Sequence, residues 1–173
     1  MRPIVKVPLK YGAIAGILGA ILVVGLYYMG THPFLIAVYL DFRIFIFGIF
    51  VFFVLRELRD FYYGGVLYFW QGLIASFLFT LIFALIASLL IGIFGTVMES
   101  FVRDFIIQST EKLAQVKDEL IERIGKDAYD SNLRNLPATN AMDLAIHYYL
   151  QCFVIGTFIG ILLSVILRRQ PKP

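Results

Sequence analysis

The stretch from Tyr68 to Met98, YFWQGLIASFLFTLIFALIASLLIGIFGTVM, contains no charged residue, and its reading decides the fold. The hydrocarbon layer of a bilayer is about 30 Å thick, and a helix rising about 1.5 Å per residue crosses it with about 20 apolar residues. The stretch exceeds that length, so it reads as a membrane span that tilts or protrudes. Upstream, Tyr11 to Met29 is equally free of charge and ends at Thr31, His32 and Pro33, which marks another span. Downstream, another apolar run occupies residues 141–167, with Asp143 as its one charged residue near the start, entered through Pro137 and the capping residue Asn140 and closed by Arg168 and Arg169. The segment from Phe34 to Leu55 is apolar too, but Asp41 and Arg43 interrupt it before the charged exit Arg56, Glu57, Arg59 and Asp60. Either one helix begins near Pro33, or residues 33–40 lie along the surface and the crossing begins near Asp41. A charged side chain costs about 2.5 to 3.5 kcal/mol at the centre of a span, so both belong near the interface, where Arg43 can snorkel. The favoured crossing runs from about 40 to 59.

The expected fold is therefore all-α: an integral membrane four-helix bundle with spans at about 11–30, 40–59, 68–98 and 141–167. Composition agrees, because 60% of the chain is hydrophobic and 16% charged, against roughly 45 to 50% and about 25% in a soluble domain. The net charge of +3 does not point to nucleic acid, because the cations cluster at the ends of apolar runs rather than in a basic groove. A single cysteine, Cys152, excludes an intrachain disulfide and a Cys-rich metal site. Arg2, Lys6 and Lys10 before the first apolar run resemble a signal peptide, but the run has span length and no small-x-small site follows, so it reads as a retained span.

Residues 99–140, between the third and fourth spans, carry most of the remaining charge. Val102, Ile106, Leu113, Val116, Leu120 and Ile124 recur at helical spacing, which predicts an amphipathic helix over 99–125 that extends the third span outward. The polar run that follows reads as a connector. The apolar stripe of that helix needs cover, from the connector, the bilayer surface, a second copy or another protein. With both termini and residues 56–66 on one side, that side holds eight cations, among them Lys172, against Glu57 and Asp60. The other side holds seven cations and ten carboxylates. By the positive-inside rule both termini are expected in the cytoplasm and residues 99–140 outside it. Trp70, Tyr62, Tyr63 and Tyr68 at one face, and Tyr27, Tyr28, Tyr148 and Tyr149 at the other, fit interfacial aromatic belts.

Small residues form stripes at helical spacing: Gly12, Gly16 and Ala20; Ala84, Ser88 and Gly92; Gly156, Gly160 and Ser164. Such stripes let helices approach closely in lipid, either within the bundle or against a second copy or partner subunit. Ionisable groups at depth, which proton and ion relays require, are limited to Asp41 and Arg43. His32 and His147 share one side with Asp41, Glu99 and Asp143, but they lack metal-ligand spacing, so no metal, cofactor or catalytic residue is expected.

The turn between the second and third spans reads Arg56-Glu-Leu-Arg-Asp-Phe-Tyr-Tyr-Gly-Gly-Val-Leu-Tyr-Phe-Trp-Gln-Gly72. It resembles the corresponding turn of a family of small bacterial membrane proteins, the domain of unknown function 4199. In that family an Arg-Asp pair and a Gly-Gly precede an aromatic and a small or amide residue that open the next span. Arg59, Asp60, Gly64, Gly65, Phe69, Gln71 and Gly72 occupy those places here, while Tyr62-Tyr63 and the short segment before the second span depart from the pattern. The resemblance implies a four-span protein of a bacterial cytoplasmic membrane and carries no activity with it. The expected partners are the lipid bilayer and other membrane subunits or a second copy. The expected function is a non-enzymatic accessory or scaffold subunit, with a small dimeric transporter or channel as the alternative.

Overall fold

A computed structural model of the chain describes residues 2–30, 32–36 and 41–170. Seven α-helices run through these residues: α1 (Pro3–Tyr28), α2 (Phe42–Glu57), α3 (Phe69–Val97), α4 (Glu99–Gln115), α5 (Lys117–Ile124), α6 (Lys126–Asn135) and α7 (Ala141–Leu167). Three of them, α1, α3 and α7, are long and apolar enough to cross a membrane. The shorter α2 has 16 residues. Among the described residues there is no β-strand, only one isolated bridge, in which Leu67 and Arg169 exchange backbone hydrogen bonds of 2.9 and 2.8 Å. Thr31 and Lys172 lie outside the described residues, as do 37–40 of the doubtful segment before α2.

The helix ends follow local chemistry. Pro3 sits in the first turn of α1, where its missing N–H is harmless, so the helix starts ahead of the charge-free run and carries Lys6 and Lys10. Asp41 accepts from the Arg43 N–H at 2.9 Å and starts α2, which puts Pro33–Leu35 outside the helix as a 3-10 turn. Asn140 accepts from the N–H groups of Met142 and Asp143, and Asp143 returns a bond to the Asn140 N–H, closing a capping box at the start of α7. Gly64 and Gly65 adopt φ of +59° and +85°, which permits the reversal between α2 and α3.

Helix α3 lies between α1 and α7, and α2 rests mainly on α7 and α1. The small-residue stripes make most of these contacts. A Cβ added to Gly12 or Gly16 would lie 3.0 Å from the Cβ of Ile82 or Ile86, so α1 meets α3 backbone to side-chain root. On the opposite flank, a Cβ at Gly160 would lie 2.8 Å from that of Ser76, and one at Gly156 would lie 2.5 Å from both Phe47 and Thr80. Ala20, Ala84 and Ser164 are buried with them. Ser88 and Gly92 differ, since both border an outer groove, although Gly92 also faces Ala145. Phe47, Phe79 and Phe83 fill the centre, with Phe47 and Phe83 ring centroids 4.7 Å apart.

The segment after α3 departs from the expected straight extension. Met98 leaves helical geometry at φ −107° and ψ 84°, and α4 turns across the end of α1. The turn buries Phe101 completely among Tyr27, His32, Phe34 and Phe94, an apolar gain that a helix projecting into water would forgo. Two further breaks follow, at Val116 and at Gly125 (φ +85°), so the amphipathic run over 99–125 is two helices. The polar connector holds the helix α6. Tyr148 is a second departure, because it lies in the interior and not in an interfacial belt.

The close approach of α7 to α3 sets a test. A Gly156→Ala change forces a methyl group into Phe47 and Thr80 and should cost about 1 to 3 kcal/mol by overpacking. Gly25→Ala, where a Cβ meets nothing within 4 Å, should leave stability unchanged or slightly raised. Reversible unfolding in bicelles measures both.

Candidate functional site

Among the described residues two charged side chains are buried, and they form a pair. Arg43 and Asp41 are each 8% exposed. The N-capping role of Asp41 leaves both its oxygens facing the first turn of α2, where Arg43 Nε donates to them at 2.8 Å and Nη2 donates to Oδ2. Nη2 also donates to Gln151 Oε1 at 2.8 Å, and Gln151 Nε2 lies 2.7 Å from His147 Nε2. The guanidinium centre sits 4.9 Å over the Tyr148 ring, and Nη1 approaches Cys152 Sγ at 3.9 Å. A hydrogen-bonded relay therefore joins the start of α2 to α7 through Asp41, Arg43, Gln151 and His147. Snorkelling was the expectation for Arg43. Its side chain turns inward instead, because a bidentate carboxylate and the Gln151 amide on the adjacent α7 satisfy it better than an interface can. Beside this pair a groove of about 300 Å³ is walled by Leu150, Val154 and Ile155.

Above the pair lies an aromatic cap that the sequence did not reveal. His32 is 1% exposed, its Nε2 faces the Phe101 carbonyl at 3.2 Å, and its Nδ1 accepts from the Phe34 N–H at 3.4 Å. Its own N–H donates to Gln108 Oε1, while the Tyr27 hydroxyl reaches Ser100 and Asp104 at 3.0 and 2.8 Å. Both ring nitrogens of His32 thus serve the neutral form, and burial pushes its pKa from 6.5 down to about 4. Phe34 stands between the two histidines, 5.4 Å from His32 and 6.5 Å from His147 by ring centroids. Each imidazole is engaged in its own network, and among the described residues no three His, Cys, Asp or Glu side chains come together.

The other end of the molecule is knotted by surface charge. Arg59 pairs with Asp60 at 2.7 Å, which holds the carboxyl below its ordinary value, and the Gly65 N–H donates to the Arg59 carbonyl at 2.8 Å. Gln71 Oε1 accepts from the Tyr68 N–H at 3.1 Å and so starts α3. Lys10 and Tyr11 reach Glu57 at 2.9 and 2.7 Å, tying α1 to the end of α2. Sequence reasoning used Lys10 and Glu57 only as counted charges; their separation of 47 residues hid the pairing. Of the interior hydroxyls, Ser76 and Ser164 bond to carbonyls one turn back, whereas those of Thr80 and Thr157 have no partner among the described residues.

A family model described as "Protein of unknown function (DUF4199)" matches residues 10–169. No curated protein and no solved structure matches the chain.

Removing one member of the buried pair strands the other. Asp41→Ala should destabilise the protein by about 3 to 5 kcal/mol, while the double change Asp41→Leu with Arg43→Met should recover most of that loss. Unfolding free energies of the single and double variants test this. His32 supplies a pH test. Its folded pKa of about 4 lies below the ordinary 6.5, so its stabilisation is complete above pH 6.5 and declines as pH falls towards 4. Amide exchange protection factors across residues 99–108, taken relative to the intrinsic rate at each pH, should fall in that window, and His32→Gln should flatten the response.

Proposed function

The chain belongs to the DUF4199 family over residues 10–169, and from that footing we propose that it is a non-enzymatic accessory or scaffold subunit of a larger membrane assembly. In this reading α1, α2, α3 and α7 form a four-helix bundle in a bacterial cytoplasmic membrane. The cationic loop and both termini lie in the cytoplasm, and α4 to α6 lie outside it. The observation that carries the reading is the outer face of α3 and α7. A groove of about 530 Å³ runs between them, bordered by Ser88, Gly92 and Thr96 on α3 and by Ala145 and Tyr149 on α7. Small residues one turn apart allow a further helix to approach closely in lipid, where apolar side chains alone gain little by association. A helix of a partner subunit fits that surface.

The interior favours this reading over transport. Ser76, Thr80 and Ser164 are buried between α3 and α7 under the contacts of Gly156 and Gly160, and the charges of Asp41 and Arg43 are matched within their own pair. A water-filled path requires room that these contacts occupy.

Cysteine crosslinking in intact cells tests the proposal. Ser88→Cys and Thr96→Cys should each yield an adduct with a different protein, and Ile21→Cys, on the outer face of α1, should not. Adducts only with a second copy, or none at any position, would overturn the accessory role.

A further inference from the structure

Helices α4, α5 and α6 and the turn Leu136–Ala138 surround an open groove of about 500 Å³ outside the long helices. Its floor includes Leu113, Val116 and Leu120 of the amphipathic stripe, with Leu113 and Leu120 half-buried and Val116 exposed. Ser109 and Lys112, one turn apart on α4, stand at the head of that floor.

Three features of the lining define what fits. Lys112 is the one charged residue among those that line the groove. Its ammonium gives one hydrogen bond to the Leu35 carbonyl, which leaves two of its three donors for a ligand. Ser109 is 7% exposed, yet its hydroxyl has no hydrogen-bond partner among the described residues. The neighbouring Thr110 hydroxyl turns back on the carbonyl four residues earlier, as helical hydroxyls commonly do, so the Ser109 hydroxyl is left as an unused buried donor. Asn132 on α6 adds an amide across the opening. One cation, an unused hydroxyl, the amides of Asn132 and Asn135 and the nearby Thr139 beside an apolar floor match an anionic head on an apolar chain.

We propose that this groove binds a single-chain amphiphile headed by a carboxylate, of the free fatty acid class. The carboxylate receives hydrogen bonds from Lys112 and Ser109, and the chain lies along Leu113, Val116 and Leu120. The site shares no residue with the α3 and α7 groove, so it stands or falls independently of the accessory role.

Photolabelling of the full-length protein in phosphatidylcholine nanodiscs with a diazirine analogue of palmitate tests the site. Label should concentrate on peptides within residues 109–139 and be competed by palmitate, but not by hexadecanol or hexadecyltrimethylammonium. Lys112→Gln should reduce it roughly tenfold, the effect of losing one charge-assisted hydrogen bond, and Lys112→Arg should retain it. Lys117→Gln removes the same charge outside the groove and should leave labelling intact. Equal thermal unfolding of Lys112→Gln and the parent guards against a folding defect. Even labelling of α3 and α7, competition by hexadecyltrimethylammonium equal to that by palmitate, or unchanged labelling of Lys112→Gln would overturn the proposal.

Discussion

The near-contact of α3 with α1 on one flank and α7 on the other is the constraint on which the remaining structure depends. Where apolar side chains are already solvated by lipid, helices gain little from hiding them and must associate through short distances and matched shapes. Gly12 and Gly16 admit Ile82 and Ile86, and Gly156 and Gly160 admit Thr80 and Ser76. These four positions fix both the spacing and the register of the three long helices. The aromatic centre of Phe47, Phe79 and Phe83 fills the volume that this register leaves, and α2 adapts to it.

Polar chemistry is confined to the two ends of that arrangement and does different work at each. At the end where α1 begins and α7 closes, Glu57 gathers Lys10 and Tyr11 while Arg59 and Asp60 pair beside the glycine turn. These groups remain in reach of solvent, so their bonds orient helix ends more than they stabilise them. At the opposite end, Asp41 and Arg43 are buried, and removal of either partner would leave an unmatched charge. The aromatic cap of Tyr27, His32, Phe34 and Phe101 closes over them and anchors α4.

The helical class and the three long apolar helices were legible because unbroken apolar runs of span length have few other solutions. The stripes of small residues were legible as close-contact faces, but not which flank each would meet. Ser88 and Ala84, four residues apart, differ in outcome, one opening on a groove and the other enclosed. The bend at Met98 left no local signal, since the apolar repeat continues through it and burial of Phe101 against Tyr27 is a tertiary effect. The partner of Arg43 was equally hidden, because Gln151 is 108 residues away and reads alone as an ordinary amide in a helix. The apolar segment of the second expected span was ambiguous for a physical reason, its charges marking a start that only the Asp41 cap resolves.

The brevity of α2 bears on the lipid around it. The 16-residue helix continues into a helical turn over Leu58–Tyr62, but its apolar run between Arg43 and Arg56 covers only about 18 Å, less than the roughly 30 Å of a hydrocarbon layer, whereas α3 with 29 residues exceeds it. Embedded as proposed, the bundle is asymmetric in height, and acyl chains beside α2 must shorten or splay while those beside α3 stay extended. Such a dent gathers short-chain and conical lipids on one flank and gives the molecule a preferred neighbour direction before any protein touches it.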